Sequence, residues 1–557
     1  MKYLVFVLSV SLIFSCKKNG TPITVTPTPP NVSENFNFVS TDINGVGILP
    51  FKNVNRNPSI KIKFSVPVSR TSAAQKILIT ENAGATVNSN ISFENNDSTV
   101  LIIPQNQLQF VTRYKIKVDA SLLSAKNTLL NAGREIVFYT TMDSSRKFPA
   151  ISDNALLDLV QQQTLKYFYD FGHPVSGLAR ERNTSGDLVT SGGSGFGIMA
   201  MITGVNRNFI TRTQGLSRLQ TMVGFLKNTA QTFHGAYPHW LNGATGAVIP
   251  FSPNDNGADL VETAFLAEGL LCARQYFNAA DATETALRAD INFIINRIEW
   301  NWFRQAAQNA LTWHWSPNFG FVINQQIRGW NETLMTYVLA KSSSTHSVPT
   351  SVYTNGWASN GTAPFTNGNN YYGLQLPLGP NLGGPLFFEH YSFLGINPTG
   401  LTDAYANYAT QTKNHTLINY NYCKLNPLNY YGYSDSCWGL TASDIPNGYT
   451  ASSPTNDVGV IAPTAALSSF PYTPLESMKA LKFYYYVLGD KLWKQYGFVD
   501  AFKLDDPWFA DSFLAIDQGP IIVMIENYRS GLLWNLFTSA PEVKAGMLSL
   551  GFSAPYL

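Results

Sequence analysis

The amino-acid sequence predicts a multidomain chain in which an N-terminal all-β sandwich is followed by an all-α helical toroid. Two observations predict it. From about Phe36 to Met142 apolar residues recur at every second position: Ile60, Ile62, Phe64 and Val66 alternate with Lys61, Lys63 and Ser65, and Tyr114, Ile116 and Val118 with Lys115 and Lys117. Short alternating runs broken by turn residues are strands with one face buried and one in water, and a series of them makes a sandwich. From about Ala150 the apolar period becomes 3.6, and about a dozen helices fit the remaining length.

Composition bounds what such a chain binds. The 557 residues carry 38 Lys+Arg against 36 Asp+Glu, a formal charge of +2, too balanced for a surface that tracks nucleic-acid phosphates. Hydrophobic residues make up 45%, enough for sizeable cores, so global disorder is excluded. Charged residues reach only 13%, as do aromatics, against roughly 25% charged residues in an average soluble protein. Such a polar, aromatic, weakly charged chain suits a neutral ligand such as a sugar.

The elements follow in order. Met1 and Lys2 precede the apolar run Leu4 to Phe14, too short to span a bilayer. With Ile13-Phe14-Ser15-Cys16 as lipobox, residues 1–16 resemble a bacterial lipoprotein signal peptide. That resemblance implies lipidation at Cys16 and a protein lipid-anchored to the bacterial envelope, at the outer membrane, on its periplasmic or surface face. Residues 17–35 are Thr/Pro-rich and read as an extended tether. Residues 36–143 form the sandwich. Its closing runs, Leu101-Ile102-Ile103-Pro104 and Glu135 to Thr141, resemble the Ig-like modules that bacteria place ahead of secreted enzymes. It is expected to act as a spacer; shaping one end of a substrate cleft is the sharper alternative.

Residues 150–557 form the helical domain, with helices expected over Asn154–Phe171, Arg212–Phe233, Ala258–Phe277, Thr283–Phe303, Glu332–Ala340, Leu475–Val487 and Gly519–Trp534. Loops rich in Gly, Asn and aromatics, Tyr353–Gly384 and Asn421–Pro454, are long enough to be functional and are expected to line a cleft. Cys272 reads as a buried thiol; Cys423 and Cys437 could bridge in an oxidising compartment. The seven His residues contain no HExxH and no i, i+4 pair, so neither a catalytic metal nor any other cofactor is expected.

The richest stretch is Pro253 to Phe265. Spacings of four and three place Asp255, Asp259 and Glu262 along one face of an opening helix. Asp255 alone reads as a cap or dipole partner. Glu262 lies deeper, beside Val261, Ala264 and Phe265, where burial and like charges keep a carboxyl protonated near neutrality, as glycoside cleavage requires. Glu332, in Arg328-Gly329-Trp330-Asn331-Glu332-Thr333, is the second candidate. Glu389 beside His390, Asp444, Asp457, Asp517 and Glu526 are weaker ones. His239-Trp240, Trp313-His314-Trp315, Trp330 and Trp438 offer rings to a sugar.

Several separated strings, in order, resemble one family: Ser191-Gly192-Gly193-Ser194-Gly195-Phe196-Gly197, Trp438 to Asp444, Val460 to Ala466, Gln518-Gly519-Pro520 and Ile525 to Gly531. Residues 150–557 are thereby similar to the glycoamylase-like family, and within it to glycoside hydrolase family 144. The resemblance implies an (α/α)6 barrel with the site at one mouth, an inverting hydrolysis of β-1,2-glucan or its oligosaccharides, and sophorose or short sophoro-oligosaccharides as products. The family's acidic cluster falls on Asp255, Asp259 and Glu262 and a further essential Glu on Glu332. Glu262 is expected as general acid, Glu332 as its partner, and Asp255 and Asp259 as sugar ligands. Asp517 and Asp444 are alternatives for the base. His239, Trp240, Trp315, Glu389 and Trp438 are expected to contact substrate, and the enzyme to act as a monomer. Release from a chain end requires one end of the cleft to be blocked, and the sandwich could supply the block; endo cleavage requires both ends open. Two rival readings stand beside this one: a polysaccharide lyase using His390 and Tyr391, and a sugar-binding lipoprotein without catalysis.

Overall fold

The computed structural model describes residues 34–82 and 84–557. The signal segment, its Cys16 and nearly all of the tether lie outside the described residues.

The N-terminal part is a sandwich of two sheets. Its strands are β1 (Phe38–Ile43), β2 (Phe51–Val54), β3 (Ile60–Phe64), β4 (Ile77–Glu81), β5 (Thr86–Val87), β6 (Ser89–Glu94), β7 (Thr99–Pro104), β8 (Arg113–Val118) and β9 (Arg134–Thr140), with helix α1 (Arg70–Lys76) between β3 and β4. One sheet runs β1-β3-β7-β6 and the other β2-β9-β8-β4-β5. The period-two pattern decides which faces meet. Ile60 and Ile62 on β3 sit opposite Ile102 and Val100 on β7, and all four are buried with Ile116, Val118 and Phe138 from the facing sheet, while the alternating lysines turn outward.

The rest of the chain is helical: α2 (Asp153–Tyr169), α3 (Ser191–Asn206), α4 (Arg212–Asn228), α5 (Leu260–Tyr276), α6 (Ala282–Asn296), α7 (Leu334–Ser342), α8 (Tyr408–Leu425), α9 (Pro463–Leu467), α10 (Pro474–Lys482), α11 (Gly489–Leu492), α12 (Ala515–Ser530), α13 (Leu532–Ser539) and α14 (Pro541–Ser549). Two kinds of helix make two layers. α3, α5, α7 and most of α12 are buried on every side, as an inner layer requires. α4 and α6 bury only one stripe, such as Leu287, Ile291 and Ile294, and pack on each other. α3 packs against both α5 and α12, and α5 against α7. The sandwich docks on this body through Lys52, 3.0 Å from Asp505, through Tyr139 stacked on Tyr431, and through the linker residue Phe148 stacked on Tyr485.

Expected and observed helices agree in place for α2, α4, α5, α6, α7, α10 and α12. Their ends differ where tertiary contacts intervene. Ala258–Asp259 is not the start of α5 but a short strand paired with His314–Trp315, and the expected helix to Val487 becomes π-helical from Phe483. The largest difference is α3. Its glycine-rich start is intrinsically poor in helix propensity, yet it forms the centre of the domain because only hydrogen fits there. A Cβ on Gly195 would lie 2.1 Å from the Phe265 carbonyl of α5, and one on Gly269 would lie 2.2 Å from the Gly195 carbonyl. Cys272, Cys423 and Cys437 are buried free thiols.

This backbone-to-backbone crossing has no slack. Gly195→Ala is expected to lower Tm by at least about 5 °C or to abolish soluble expression, since the main chains of α3 and α5 must separate; a Tm within 1 °C of wild type, on that same scale, would show that the crossing tolerates separation.

Candidate active site

Four inner helices aim their N-termini at one place. α3, α5, α7 and α12 begin at Ser191, Leu260, Leu334 and Ala515, and Thr190, Glu262, Glu332 and Leu514, at or beside those ends, line a single cavity of about 620 Å³. Helix N-termini present unpaired N–H groups and the positive end of the dipole. A cavity ringed by them is a place where carboxylates can be buried. Its walls are aromatic: Trp240, Phe251, Trp313, Phe387, Tyr391 and Tyr449 all face it, with Phe251 4.4 Å from the His239 ring and 4.7 Å from Trp240.

Asp259 organises one side. It is the N-cap of α5: Oδ1 accepts the Val261 and Glu262 backbone N–H groups at 3.0 and 2.9 Å, while Oδ2 lies 3.1 Å from His239 Nδ1 and 3.8 Å from His314 Nε2. Burial alone would raise its pKa, but these bonds and charges hold it below the ordinary value. Burial likewise works against a charge on His239, yet Glu262, Asp259 and Asp255 outweigh it and bring the imidazole up to about 9. Asp255, in the turn before the short strand, is raised by burial and by the Asp259 charge.

The two glutamates differ in how they are held. Glu262 Oε2 accepts the Gly192 backbone N–H at 2.7 Å and the Thr190 hydroxyl at 3.1 Å, so α3 grips it at its N-terminus. Burial and the Asp259 charge still leave its pKa above the ordinary carboxyl value. Glu332, just before α7, has its backbone carbonyl bound by the Ser392 hydroxyl. Among the described residues no other side chain donates to its carboxyl. Burial, with the charges of Asp259 and Glu262, lifts it to about 7, so the group is an acid at neutral pH.

A second carboxylate group stands apart. Asp444 is held by Arg182 at 3.1 Å and by the Ser512 hydroxyl at 2.6 Å, and its backbone N–H donates to Asp500 at 2.7 Å. Burial pushes Asp500 up to about 7 and, together with the Asp500 charge, Asp517 well above the carboxylate range. Arg182 and its neighbour Glu181 line the cavity, while Asp444, Asp500 and Asp517 lie behind its lining. Tyr391 feels the charges of Asp517 on one hand and of Glu332 and Glu262 on the other.

Of the residues expected from sequence, the structure brings Asp255, Asp259, Glu262, Glu332, His239 and Trp240 into one cavity. Three expected sugar contacts need correction. Trp315 is half-buried against Phe233 and His234, and its neighbours Trp313 and His314 face the cavity instead. Trp438 is fully buried and edge-on to Tyr420, where an apolar ring packs better than it could at a wet rim. Glu389 is fully buried, 3.0 Å from His415 and bonded to Thr416, because a carboxylate inside a core needs a cation beside it. Asp255 is not the cap of α5; Asp259 is. His390, required by a lyase, is buried on Ser469, and burial pushes its pKa down to about 3. The loop Asn421–Pro454 contributes Ala442, Tyr449 and Ala451 to the cavity, the loop Tyr353–Gly384 contributes nothing, and no lining residue comes from the sandwich.

Sequence reasoning missed Thr190 and Gly192 as the seat of Glu262, and Arg182, Phe251, Phe387 and Tyr449 as walls. The run Ser191 to Gly197 carried a signal, but a glycine's partner is visible only in three dimensions. Asp255, Asp259 and His314 bring three ligand atoms within 4.8 Å of one another, the one such set among the described residues. Both oxygens of Asp259 are already engaged, one by the helix cap and one by His239, so the set functions as an ion-pair cluster.

An aromatic cavity that raises one carboxyl to a pKa near neutrality, beside clustered carboxylates and at the ends of buried helices, defines a protein of the glycoside hydrolase class. A family model described as "Putative glucoamylase" matches residues 324–541, and one described as "Bacterial Ig-like domain" matches residues 50–141. A curated exo β-1,2-glucooligosaccharide sophorohydrolase (non-reducing end) of Parabacteroides distasonis is 45% identical over 425 residues, which are 72% of this chain and 58% of that protein; the chain thus spans little more than half of that relative. Two crystal structures are covered completely: a putative glucoamylase from Bacteroides uniformis, 54% identical over 74% of this chain with a TM-score of 0.72, and an endo-β-1,2-glucanase from Chitinophaga pinensis in complex with sophorotriose and glucose, 49% identical over 73% with a TM-score of 0.71. The chain belongs to the glycoamylase-like glycoside hydrolases of the family 144 type, carrying a bacterial Ig-like domain ahead of the hydrolase domain.

A Cβ on Gly192 would lie 2.5 Å from Glu262 Oε2. Gly192→Ala is therefore expected to turn the Glu262 carboxyl away while leaving α3 helical, lowering kcat/KM at least about tenfold with circular dichroism unchanged. Wild-type kinetics in that variant would detach Glu262 from the chemistry.

Proposed function

We propose that this chain hydrolyses β-1,2-glucan or β-1,2-gluco-oligosaccharides with inversion, releasing sophorose or short sophoro-oligosaccharides. The observation that carries it is Glu332, a half-buried carboxyl with a pKa of about 7 facing a cavity rich in aromatic rings; the substrate class rests on the relatives. Glu332 is the proton donor to the glycosidic oxygen, because its free carboxyl has a pKa matched to the operating pH. That reverses the roles expected from sequence. Glu262, gripped by Gly192 and Thr190 and next to the charged His239, instead fixes the cluster beside the donor. Asp255 and Asp259 complete this polar side, with Asp259 the less available because its oxygens are engaged.

In an inverting enzyme the base activates water on the far side of the sugar from the acid, with carboxyls roughly 6.5 to 9.5 Å apart. We assign the base to the Asp444–Asp500–Asp517 group, which lies behind the cavity lining and reaches water through intervening groups rather than across that gap. Asp500, with a pKa of about 7, is the member of the group able to take up the proton, relayed through intervening groups. The (α/α)6 toroid is the closed form of the two layers described above, supported by the run of contacts from α12 through α3 and α5 to α7. We place the chain as a monomer on the bacterial envelope, lipidated at Cys16 and held off the membrane by residues 17–35 and the sandwich.

Release of sophorose or its oligomers from linear β-1,2-glucan, with none from laminarin or starch, is the expected product pattern. Glu332→Gln is expected to lower kcat by at least about 10³-fold, and the alkaline limb of the wild-type pH profile should fall near pH 7, since the donor must be protonated. The same substitution has an opposite effect on stability. With a folded pKa raised from 4.5 to about 7, the native state binds more protons than the unfolded chain across that window, so stability falls as pH rises through it. Glu332→Gln should therefore raise Tm at pH 8 and change it little at pH 4. An inactive variant with lowered Tm at both pH values would mark Glu332 as structural.

A further inference from the structure

We propose that the surface next to the cavity carries a second sugar-binding platform, built on Trp302, that holds the part of a glucan chain extending out of the active site; this rests on the reading of the cavity as a glucan-cleaving site. Trp302 is 43% exposed, unusual for the most apolar large side chain unless something covers it. One face is stacked on His234 at 3.9 Å and 14°, and His234 is itself held by Glu299 at 3.0 Å and meets Trp315 edge-on. The ring is thus fixed on one face by stacking, and 43% of the side chain stays exposed to solvent. Phe321 lies 6.5 Å from it, and Phe319 and Val322, on the same loop, are each 54% exposed. The polar groups around these rings are amides: Gln305 donates to Asn324 and to Thr312 at 2.8 and 2.7 Å.

The platform loop is tied to the wall of the cavity, though Trp302, Phe319 and Phe321 do not themselves line it. Ser316 and Asn318 bond both ends of the Asn256 side chain, at 2.6 and 2.7 Å, tying the loop that bears Phe319 to the turn that bears Asp255. Gln325, at the far end of that loop, lines the cavity, as does Phe251, half-exposed at the rim. A chain leaving on the Asp255 side meets Phe251 and then this loop. Fixed aromatic faces bordered by neutral amides match a neutral polysaccharide, whose rings stack and whose hydroxyls take amide hydrogen bonds.

The test compares wild type, Trp302→Ala, Trp302→Phe and Phe319→Ala on long linear β-1,2-glucan and on the shortest oligosaccharide the enzyme cleaves. Trp302→Ala is expected to raise KM for the long chain about fivefold, the weight of one aromatic stacking contact, with kcat unchanged, Trp302→Phe falling between it and wild type; KM for the short substrate should move less than about twofold on the same scale. Equal changes on both substrates, or none on either, would overturn the platform. Retardation of each protein in glucan-containing native gels gives a reading independent of turnover. If wild type cleaves no glucan yet is retarded through Trp302, the catalytic reading fails and the platform stands; if it cleaves glucan and Trp302→Ala is retarded as wild type is, the platform fails and the catalytic reading stands.

Discussion

The site depends on the near-contact of α3 and α5. Gly195 and Gly269 let the two main chains meet with only hydrogens between them, and that approach brings the N-terminus of α3 onto the Glu262 side chain. The Gly192 N–H that binds Glu262 is one of the unpaired donors every helix leaves at its start. A carboxylate serves as its partner, so packing and electrostatics are settled by the same crossing. α12 is held to α3 in the same manner, through Gly519 against Phe196, and brings Leu514 and Ile516 to the cavity.

Once the helix ends converge, the problem becomes how to hold four acidic groups together. The cluster solves it by unequal treatment. Asp259 is given two backbone N–H groups and two imidazoles and remains charged. His239 stays protonated for the reciprocal reason, and Glu262 takes the seat at α3. Glu332 receives none of these and is left as a neutral acid. Two carboxyls in one cavity thus acquire different proton affinities from their surroundings alone, which is how acid and base assignments arise in such sites. Burial sets Asp500 and Asp517 apart in the same way, raising the first to about 7 and the second well above the carboxylate range.

The sandwich stands outside this chemistry. It docks through Lys52, Tyr139 and the linker residue Phe148 onto segments carrying Asp505, Tyr431 and Tyr485, and supplies no wall of the cavity. The walls of the cavity, Arg182, Tyr449 and Phe251 among them, are therefore set within the helical domain.

Periodicity alone determined the division of the chain. Alternation at Ile60 to Val66 and at Tyr114 to Val118 could only be strands, and the 3.6-residue repeats located α2, α4 and α6, because those elements bury one face and expose another. The spacing of Asp255, Asp259 and Glu262 was legible for the same local reason. What sequence could not decide were matters of contact across the fold. α3 is buried on all sides and starts with glycines, so it has neither amphipathic stripe nor propensity; its helix exists because α5 and α12 enclose it. Trp313 and Trp315 are two residues apart and look alike in sequence, yet only the first faces the cavity. Glu389 is a fully buried glutamate and Glu332 a half-buried one, and which is a satisfied ion pair and which a free acid depends on whether a histidine lies 3.0 Å away, a distance that only the tertiary structure sets.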